Sequence, residues 1–412
     1  MGSIVVTGQI ARYPLGGVTW DWLNYLLGLK ALGFKVHYFE DGSDWFYNPV
    51  KNTVMQTDYN LKYLKKVMSH FKFDWTYLSR EREYNLSKEV NNKLFGNKDF
   101  KNIINSADAV INIAGSSNMQ KLNEDFKIDN AKKIFVDGDP MLNQLKIVNK
   151  DRNLMESINA HDKFFTYAEN IGNKDCEIPL SKSIDWKPTR FPVFLDSWNH
   201  KSNKIENKFT TVANWQSYKG FRYKGKTYSG CKSIEFVKLA KVPKLSKQKL
   251  ELAIIADTKE KKNSLLKKTL KDKSWISNVN NLNKMKAGGW KIADARKISK
   301  DWNAYKNYIN SSKGEFSVAK NMYVKAKTGW FSCRSTCYLA AGKPVVLQET
   351  GFSKFIPTGK GLFSFSNLQE AADAVKEINK DYEYHSKEAR KIAEKYFDSD
   401  KVLGKMLKQC GI

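Results

Sequence analysis

The residues best suited to chemistry lie in one short stretch of the second half of the chain, residues 328–336. The stretch combines a glycine, several hydroxyl side chains and an arginine at the predicted start of a helix. Glycine lets the backbone come close to a ligand, and the unpaired N–H groups of a helix start attract anions. We therefore predict that it holds a phosphate group. The predicted contact residues are Gly329, Trp330, Ser332, Arg334, Ser335 and Thr336.

Strands and helices alternate around this stretch in the way that is typical of a parallel sheet with right-handed crossovers. Apolar residues at helical spacing predict a helix over 20–32, between strands at 4–6 and 34–39. Further strands are predicted at 109–114, 134–136, 164–167, 209–213, 252–256, 290–293, 315–318, 344–347 and 362–365, with helices at 302–309 and 368–378. The order predicts an α/β fold with two doubly wound halves.

The same pattern predicts two domains and a C-terminal segment. Residues 1–200 form the first domain, with a helical insertion near 44–100 that caps its sheet, and residues 205–385 form the second. A polar stretch at 196–208 is predicted to link them, and residues 386–412 are predicted to form a helix that packs back on the first domain. Two such sheets place a ligand cleft between their carboxyl ends.

The formal net charge of the chain is +27, from 70 Lys and Arg against 43 Asp and Glu. One interpretation is contact with phosphates, either of nucleic acid or of an anionic membrane. The other is a lysine-rich surface that is simply solvated. Because the lysines are dispersed along the chain rather than grouped in blocks, the second interpretation is favoured.

The cysteines do not indicate a metal site. There are five, and Cys333 and Cys337 stand four apart without a histidine or a second cysteine pair to accompany them. This usage favours a reducing, cytoplasmic compartment. No apolar run reaches the length of a membrane span, and the chain begins directly in an apolar strand without a basic leader. We therefore expect a cytoplasmic protein, able at most to dock on the inner face of the membrane.

Several passages, taken together, resemble the GT-B glycosyltransferases, in particular a bacterial branch of that superfamily. They are, in order, YPLGGVTWDWLNYLLGLKALGFKVHYFED, IFVDGDP, FFTYAENIG, DWKPTRFPV, FTTVANWQSYK, GEFSVAKNMYV, GWFSCRSTCYLAAGKPVV and PTGKGLFSF. Because the resemblance covers both halves, it implies the GT-B fold, with two Rossmann-like domains facing across a cleft. It also implies that the first domain binds the acceptor and the second binds a nucleotide sugar.

The resemblance implies further contacts with the donor. The glycine turn Gly16-Gly17 would approach the reactive end and the phosphates of the donor across the cleft, which glycines before a helix start permit. Basic side chains after the first strand of the second half would neutralise the diphosphate. Lys219 and Arg222 are the candidates there, and arginine offers a bidentate fork to phosphate.

Three carboxylates are candidates for catalysis. Asp139 and Glu169 follow strands of the first half and are candidates for a base that takes the acceptor proton. Glu315 would be the first member of the acidic pair that the resemblance implies for retaining enzymes. Cys337 stands where the second member is expected, which leaves Glu349 or nearby hydroxyls as substitutes. Retention and inversion of configuration both stay open.

The predicted function is transfer of a hexose-like sugar from a UDP- or GDP-sugar to a glycan, lipid or modified-DNA acceptor, with no tightly bound cofactor. Two alternatives stay open. One is a DNA-modifying glycosyltransferase or a nucleic-acid-binding protein, which the positive charge suggests. The other is a nucleotide-sugar epimerase, which shares the two-domain layout.

Overall fold

Two parallel sheets organise the chain, one in each half. The computed structural model describes residues 2–42, 46–54, 58–80, 93–199, 205–217, 220–255 and 273–412. The strands of the first half are β1 Ser3–Thr7, β2 Lys35–Gly42, β3 Tyr47–Asn48, β4 Thr53–Val54, β5 Asp74–Ser79, β6 Lys93–Gly96, β7 Ala109–Ile113, β8 Lys132–Asp137, β9 Lys163–Thr166 and β10 Trp186–Pro188. Its helices are α1 Gly16–Ala31, α2 Asp58–Phe71, α3 Phe100–Asn105, α4 Met119–Phe126, α5 Leu142–Val148 and α6 Arg152–Asn159.

The second half has the same alternation of strands and helices. Its strands are β11 Glu206–Val212, β12 Phe221–Tyr223, β13 Lys226–Tyr228, β14 Lys249–Ile254, β15 Lys291–Asp294, β16 Ser312–Ser317, β17 Val345–Gln348 and β18 Leu362–Phe365. Its helices are α7 Ser233–Lys238, α8 Val242–Ser246, α9 Lys273–Ala287, α10 Ala295–Ile298, α11 Trp302–Ser311, α12 Asn321–Lys325, α13 Cys333–Ala340, α14 Leu368–Lys380, α15 Tyr382–Tyr396 and α16 Ser399–Cys410.

Both sheets follow the doubly wound strand order. The first runs β10-β9-β8-β7-β1-β2-β5-β6, and only its edge strand β6 is antiparallel to its neighbour. The second runs β15-β14-β11-β16-β17-β18 and is parallel throughout. The order therefore reverses beside β1 in the first sheet and beside β11 in the second, where a crevice opens at the carboxyl ends of the strands. The predicted α/β class with two doubly wound halves is confirmed.

One hydrophobic core extends from the first half into the second. Trp20 on α1 packs against Trp198, with ring centroids 5.0 Å apart, and its indole nitrogen donates to the carbonyl oxygen of Trp302 at 2.8 Å. All three rings are buried. Because burial of large aromatic side chains dominates packing energy, the contact of Trp20 with Trp302 stabilises the arrangement of the two halves.

Two parts of the first half differ from the expectation where the structure describes them. Within 44–100, helix α2 is followed by β5, which pairs with β2 in parallel as an integral strand of the sheet, so the described part of the segment is not purely helical. The sequence of β5, DWTYLS, is too polar at its start to resemble a buried strand. The supposed linker 196–208 also begins with a structured turn, Leu195–Trp198, whose tryptophan lies in the core.

The C-terminal segment forms two helices, α15 and α16, rather than one. The break falls at Phe397, and the Asp398 side chain caps α16 by accepting from the Asp400 N–H. Helix α16 packs on α1, where a Cβ added to Gly28 would lie 2.5 Å from Cβ of Ser399. Glycine at this position therefore allows the two helices to approach closely. Within the described ranges no helix is long and apolar enough to cross a membrane.

Candidate functional site

A cavity of about 490 Å³ opens between the two halves, at the carboxyl ends of β11 and β14. It lies beside the point where the strand order of the second sheet reverses, which is where doubly wound sheets bind ligands. Its lining comes from the first half through Tyr13, Leu15, Gly17, Val18, Asp21 and Tyr47, and from the second through Val212, Ala213, Asn214, Ile255, Ala295, Ser299, Tyr305, Cys333 and Arg334.

The first-half wall is a loop between β1 and α1 that a buried carboxylate holds in place. Glu40 accepts from the backbone N–H groups of Ala11 and Arg12 at 2.8 and 2.7 Å, and from the Tyr38 hydroxyl at 2.7 Å. Burial raises the pKa of Glu40 to about 7, although these hydrogen bonds lower it. The loop that carries Tyr13 and Leu15 into the cavity is therefore fixed by contacts made at its centre.

The glycine turn contacts the second half directly. The Gly16 N–H donates to the Ser299 carbonyl at 2.7 Å, and the Gly17 N–H donates to Oγ of Ser299 at 3.0 Å. A Cβ at Gly16 would lie 2.2 Å from the carbonyl oxygen of Asp301, so only glycine fits there. Gly17 lines the cavity, as its predicted role requires, but both N–H groups are engaged with protein.

Arg334 lies in the first turn of α13 and lines the cavity. Its Nε donates to Oε1 of Glu315 at 2.5 Å, and its terminal nitrogens donate to the Val212 carbonyl and to Oγ of Ser317, both at 2.6 Å. A guanidinium has five N–H groups, so two remain for a ligand. Within the described ranges, Oε2 of buried Glu315 and Oγ of buried Ser335 have no hydrogen-bond partner. The polar groups around this helix start are therefore incompletely satisfied.

The other residues predicted around this helix start serve the fold. Gly329, with φ +76°, packs on the first half, where an added Cβ would lie 2.5 Å from the backbone nitrogen of Asn170. Trp330 is buried against Tyr323, with ring centroids 4.7 Å apart. Thr336 donates to the carbonyl of Cys333, and Ser332 precedes the first residue of α13. Neither Gly329 nor Trp330 lines the cavity.

Of the predicted basic pair after β11, Arg222 is the member that the structure describes. Arg222 is exposed on the β12–β13 hairpin, opposite Thr227, and does not line the cavity. Lys219 lies outside the described residues. The neutralising role that the sequence suggested for Arg222 therefore has no support from its position.

Lys232 is a cation that the sequence did not single out; it does not line the cavity but lies close to Arg334, which does. It is 8% exposed, and its ammonium lies 5.7 Å from the centre of the Trp330 ring. Within the described ranges it makes no hydrogen bond and no ion pair. Burial, together with repulsion from Arg334 and Lys320, lowers its pKa to about 7. A buried cation beside other cations is costly unless an anion joins them. No pattern distinguishes Lys232 among the many lysines of this chain.

Asp21 is the second functional candidate that the sequence missed. Among the described residues that line the cavity, it is the one carboxylate. It accepts a hydrogen bond from the thiol of Cys333 and lies close to Arg334, across the boundary between the halves. Burial raises its pKa to about 7. In the sequence it stands between two tryptophans on a helix, where a carboxylate resembles an ordinary surface residue.

The predicted bases lie elsewhere and are engaged. Asp139 pairs with Lys320 at 2.8 Å and accepts from the Tyr323 hydroxyl, so it joins the two halves. Glu169 accepts two hydrogen bonds from Arg190 in a separate groove, which lies beside α16. Glu349 accepts from the Gly351 N–H at 2.5 Å. Asp139 and Glu169 therefore act as structural partners in this arrangement, and neither lines the cavity.

Metal ligands do not cluster in the part of the chain that the structure describes. No group of three or more His, Cys, Asp or Glu side chains within it has the proximity that a metal site requires.

Comparisons with solved structures find the same architecture in sugar-transferring enzymes. An alpha-glucosyltransferase in complex with UDP-glucose and DNA containing an abasic site superposes with a TM-score of 0.56 at 12% identity, over 100% of both chains. HepE from Anabaena, in complex with UDP and glucose, gives 0.54 at 10% identity over 100% of both. Sucrose-phosphate synthase from Thermosynechococcus elongatus gives 0.51 at 12% identity over 99% of both. No protein-family model and no curated protein sequence matches the chain.

Proposed function

We propose that this chain, which has the GT-B fold that its sequence predicts, is a glycosyltransferase with a nucleoside-diphosphate sugar as donor. The observation that carries the proposal is the position of Lys232. Its buried ammonium forms no ion pair within the described ranges and lies close to Arg334, at the start of α13, where Glu315 is the nearby carboxylate and is already paired with Arg334. This is the place where a doubly wound sheet binds phosphates.

In this proposal the diphosphate of the donor lies at the start of α13, between Lys232 and Arg334. The binding of an anion restores the usual preference of Lys232 for its protonated form, because the anion offsets the repulsion from Arg334 and Lys320. The same charges stabilise the negative charge that develops on the leaving diphosphate as the sugar bond breaks. The remaining N–H groups of Arg334 supply directional contacts.

The sugar would extend from the diphosphate into the cavity between the halves. UDP-glucose and UDP occupy two of the neighbouring structures, which supports a UDP-sugar as the first donor to test. The first-half wall, with Tyr13, Tyr47 and Asp21, is then the side from which an acceptor approaches.

Thermal-shift measurements with UDP, GDP, ADP, CDP and TDP test the donor site. At least one nucleotide should raise the melting temperature, since a ligand that binds only the folded state stabilises it. Lys232→Met should lose most of that shift. Lys244→Met, which removes the same charge from an exposed position of the same half, should keep it. If no nucleotide stabilises the wild type, or if both variants respond alike, the proposed donor site is wrong.

Nucleic acid is a second candidate for the acceptor. One neighbouring structure contains DNA, and this chain has a net charge of +27. Duplex DNA should then bind with an affinity that falls steeply with salt, in a log–log plot with a slope near −0.9 for each phosphate neutralised. Fluorescence anisotropy between 50 and 200 mM salt measures this slope. Absence of binding at low salt would remove nucleic acid as the acceptor.

A further inference from the structure

Resting on the proposed transfer reaction, we propose that Asp21 is the base that takes the proton from the acceptor hydroxyl. It projects from α1 of the first half into the cavity between the halves. Of the lining residues that the structure describes, it is the one carboxylate. Arg334 lies near it on the opposing half, so Asp21 and the proposed diphosphate contacts face one cavity.

The other carboxylates with a claim to this role are already bonded. Asp139 is held by Lys320 and Tyr323, and Glu169 is held by Arg190. Glu315 is paired with Arg334 and fully buried. Asp21 differs because the side chain that donates to it is a neutral thiol, which an incoming hydroxyl could displace at little cost.

The groups that face Asp21 suit it to accept a proton near neutral pH. Helix α13 contributes Cys333, Arg334 and Cys337, and three tyrosines complete the set: Tyr305 on α11, Tyr25 on α1 itself and Tyr167 at the end of β9. Burial raises the pKa of the Cys333 thiol well above its usual value, so the thiol stays protonated and donates to Asp21. A base works best when its pKa lies near the working pH.

The step that this arrangement supports is balanced. The acceptor O–H bond breaks and its proton passes to a carboxylate oxygen of Asp21, while the acceptor oxygen forms a bond to the anomeric carbon. The bond between that carbon and the diphosphate oxygen breaks, and its electron pair remains on the diphosphate, where Lys232 and Arg334 offset the charge. Asp21 then returns the proton to water.

Asp21→Asn tests the role, since it keeps the size and polarity of the side chain but removes the base. Release of nucleoside diphosphate is measured from the sugar nucleotide whose nucleotide stabilises the wild type, with Asp129→Asn as an exposed control. The wild-type kcat/KM should decrease below about pH 7 with the pH dependence of a single titrating group, because protonated Asp21 cannot accept another proton. Asp21→Asn should lower turnover by about 10²–10⁴-fold and abolish that pH dependence. Its affinity for the nucleoside diphosphate should change less than about twofold, and a sugar covalently attached to Asp21 should not form.

Each alternative result overturns the inference in a different way. Turnover within fivefold of the wild type, or an unchanged pH profile, would show that Asp21 is not the base. A parallel loss of nucleotide affinity would make it a donor-binding residue, and a glycosylated peptide containing Asp21 in the mass spectrum would make it a nucleophile. If the wild type binds no nucleotide, the proposed function itself fails, which is a separate outcome from an active Asp21→Asn variant.

Discussion

Lys232 and Asp21 are two single residues whose charged forms the surrounding protein disfavours, and burial shifts their pKa values to about 7 from opposite directions. Burial favours the neutral amine of Lys232 and the neutral acid of Asp21. A fold does not gain stability from such groups. The proposed binding of an anion by Lys232 and the proposed transfer of a proton to Asp21 would account for the presence of these groups.

Lys232→Met should therefore stabilise the protein without ligand. The folded-state pKa of Lys232 is lowered from 10.5 to about 7, so the wild type loses stability as the pH falls from above 10 through 7. At pH 7 the variant should gain about 1–4 kcal/mol in free energy of unfolding, since one pKa unit corresponds to about 1.4 kcal/mol. The gain should be larger at pH 6 than at pH 9. Urea unfolding at these pH values measures it, and a loss of stability at pH 7 would show that the lysine has a structural partner.

Cys333→Ala should shift the pH profile of turnover. The thiol hydrogen bond lowers the pKa of Asp21, so its removal should raise that pKa and move the acid limb of kcat/KM to higher pH. Cys176→Ala, a cysteine that does not line the cavity, is the matched control. If the acid limb of kcat/KM does not shift in Cys333→Ala, the group that titrates does not accept a hydrogen bond from this thiol.

The sequence could identify Arg334 but not its partners. An arginine, hydroxyl groups and a turn before a helix are local features, and the start of α13, where they lie, lines the cavity through Cys333 and Arg334. Lys232 and Asp21 become distinctive only through burial and through neighbours more than a hundred residues away. Gly329 is the opposite case. Its place in the turn before a helix predicted a ligand contact, but the glycine allows close packing against Asn170 instead.

At the scale of the elements, the start of α1 lies in close contact with the start of α11 at Gly16. A Cβ there would meet the Asp301 carbonyl at 2.2 Å and Cβ of Tyr305 at 2.6 Å. Glycine is needed at this position because of the close contact. Its backbone conformation is that of an ordinary helix, which any residue could adopt. The two elements also carry the hydrogen bond from Trp20 to Trp302, so their spacing determines the width of the adjoining cavity.

Gly16→Ala should destabilise the protein by about 1–3 kcal/mol, because backbone atoms at this contact cannot move aside without separating α1 from α11. Gly404→Ala is the control. It lies within α16 with no atom within 4 Å of an added Cβ, so alanine there should stabilise by about 0.5–1 kcal/mol. Urea unfolding distinguishes the two, and equal effects would show that Gly16 does not define the contact.

The elements themselves were predictable where apolar residues dominate a strand or recur at helical spacing. The strand β18, Leu362–Phe365, falls where the sequence placed it, and α11 starts at the predicted residue. The short edge strand β10, Trp186–Pro188, and the polar start of β5 carry no such signal. Their pairing depends on neighbouring strands, and a strand of three residues cannot show an alternating pattern.

For the whole molecule, the question is what holds the two halves around the cavity. Ion pairs between the halves join Asp139 to Lys320, Glu177 to Lys226 and Asp175 to Lys354. These are partly exposed pairs, which contribute little because water screens them. The buried aromatic side chains around Trp20 should therefore contribute most to the free energy that holds the halves together.

Trp20→Ala should lower the free energy of unfolding by about 3–5 kcal/mol, as expected for loss of a large buried side chain. Asp175→Ala, which breaks an exposed ion pair between the same halves, should leave unfolding nearly unchanged. The two variants are compared by urea unfolding at one salt concentration. A larger effect for Asp175→Ala would mean that charge, rather than aromatic packing, joins the halves.

A crystal structure of the protein with a bound nucleoside diphosphate would show whether the diphosphate lies at the start of α13. Crystals would be grown with whichever nucleoside diphosphate stabilises the protein in the thermal-shift panel. We expect diphosphate oxygens within hydrogen-bonding distance of Nζ of Lys232 and of the Arg334 guanidinium, with the sugar end of the site open toward Asp21. A nucleotide bound away from both cations, for example beside Arg222 on its hairpin, would contradict it.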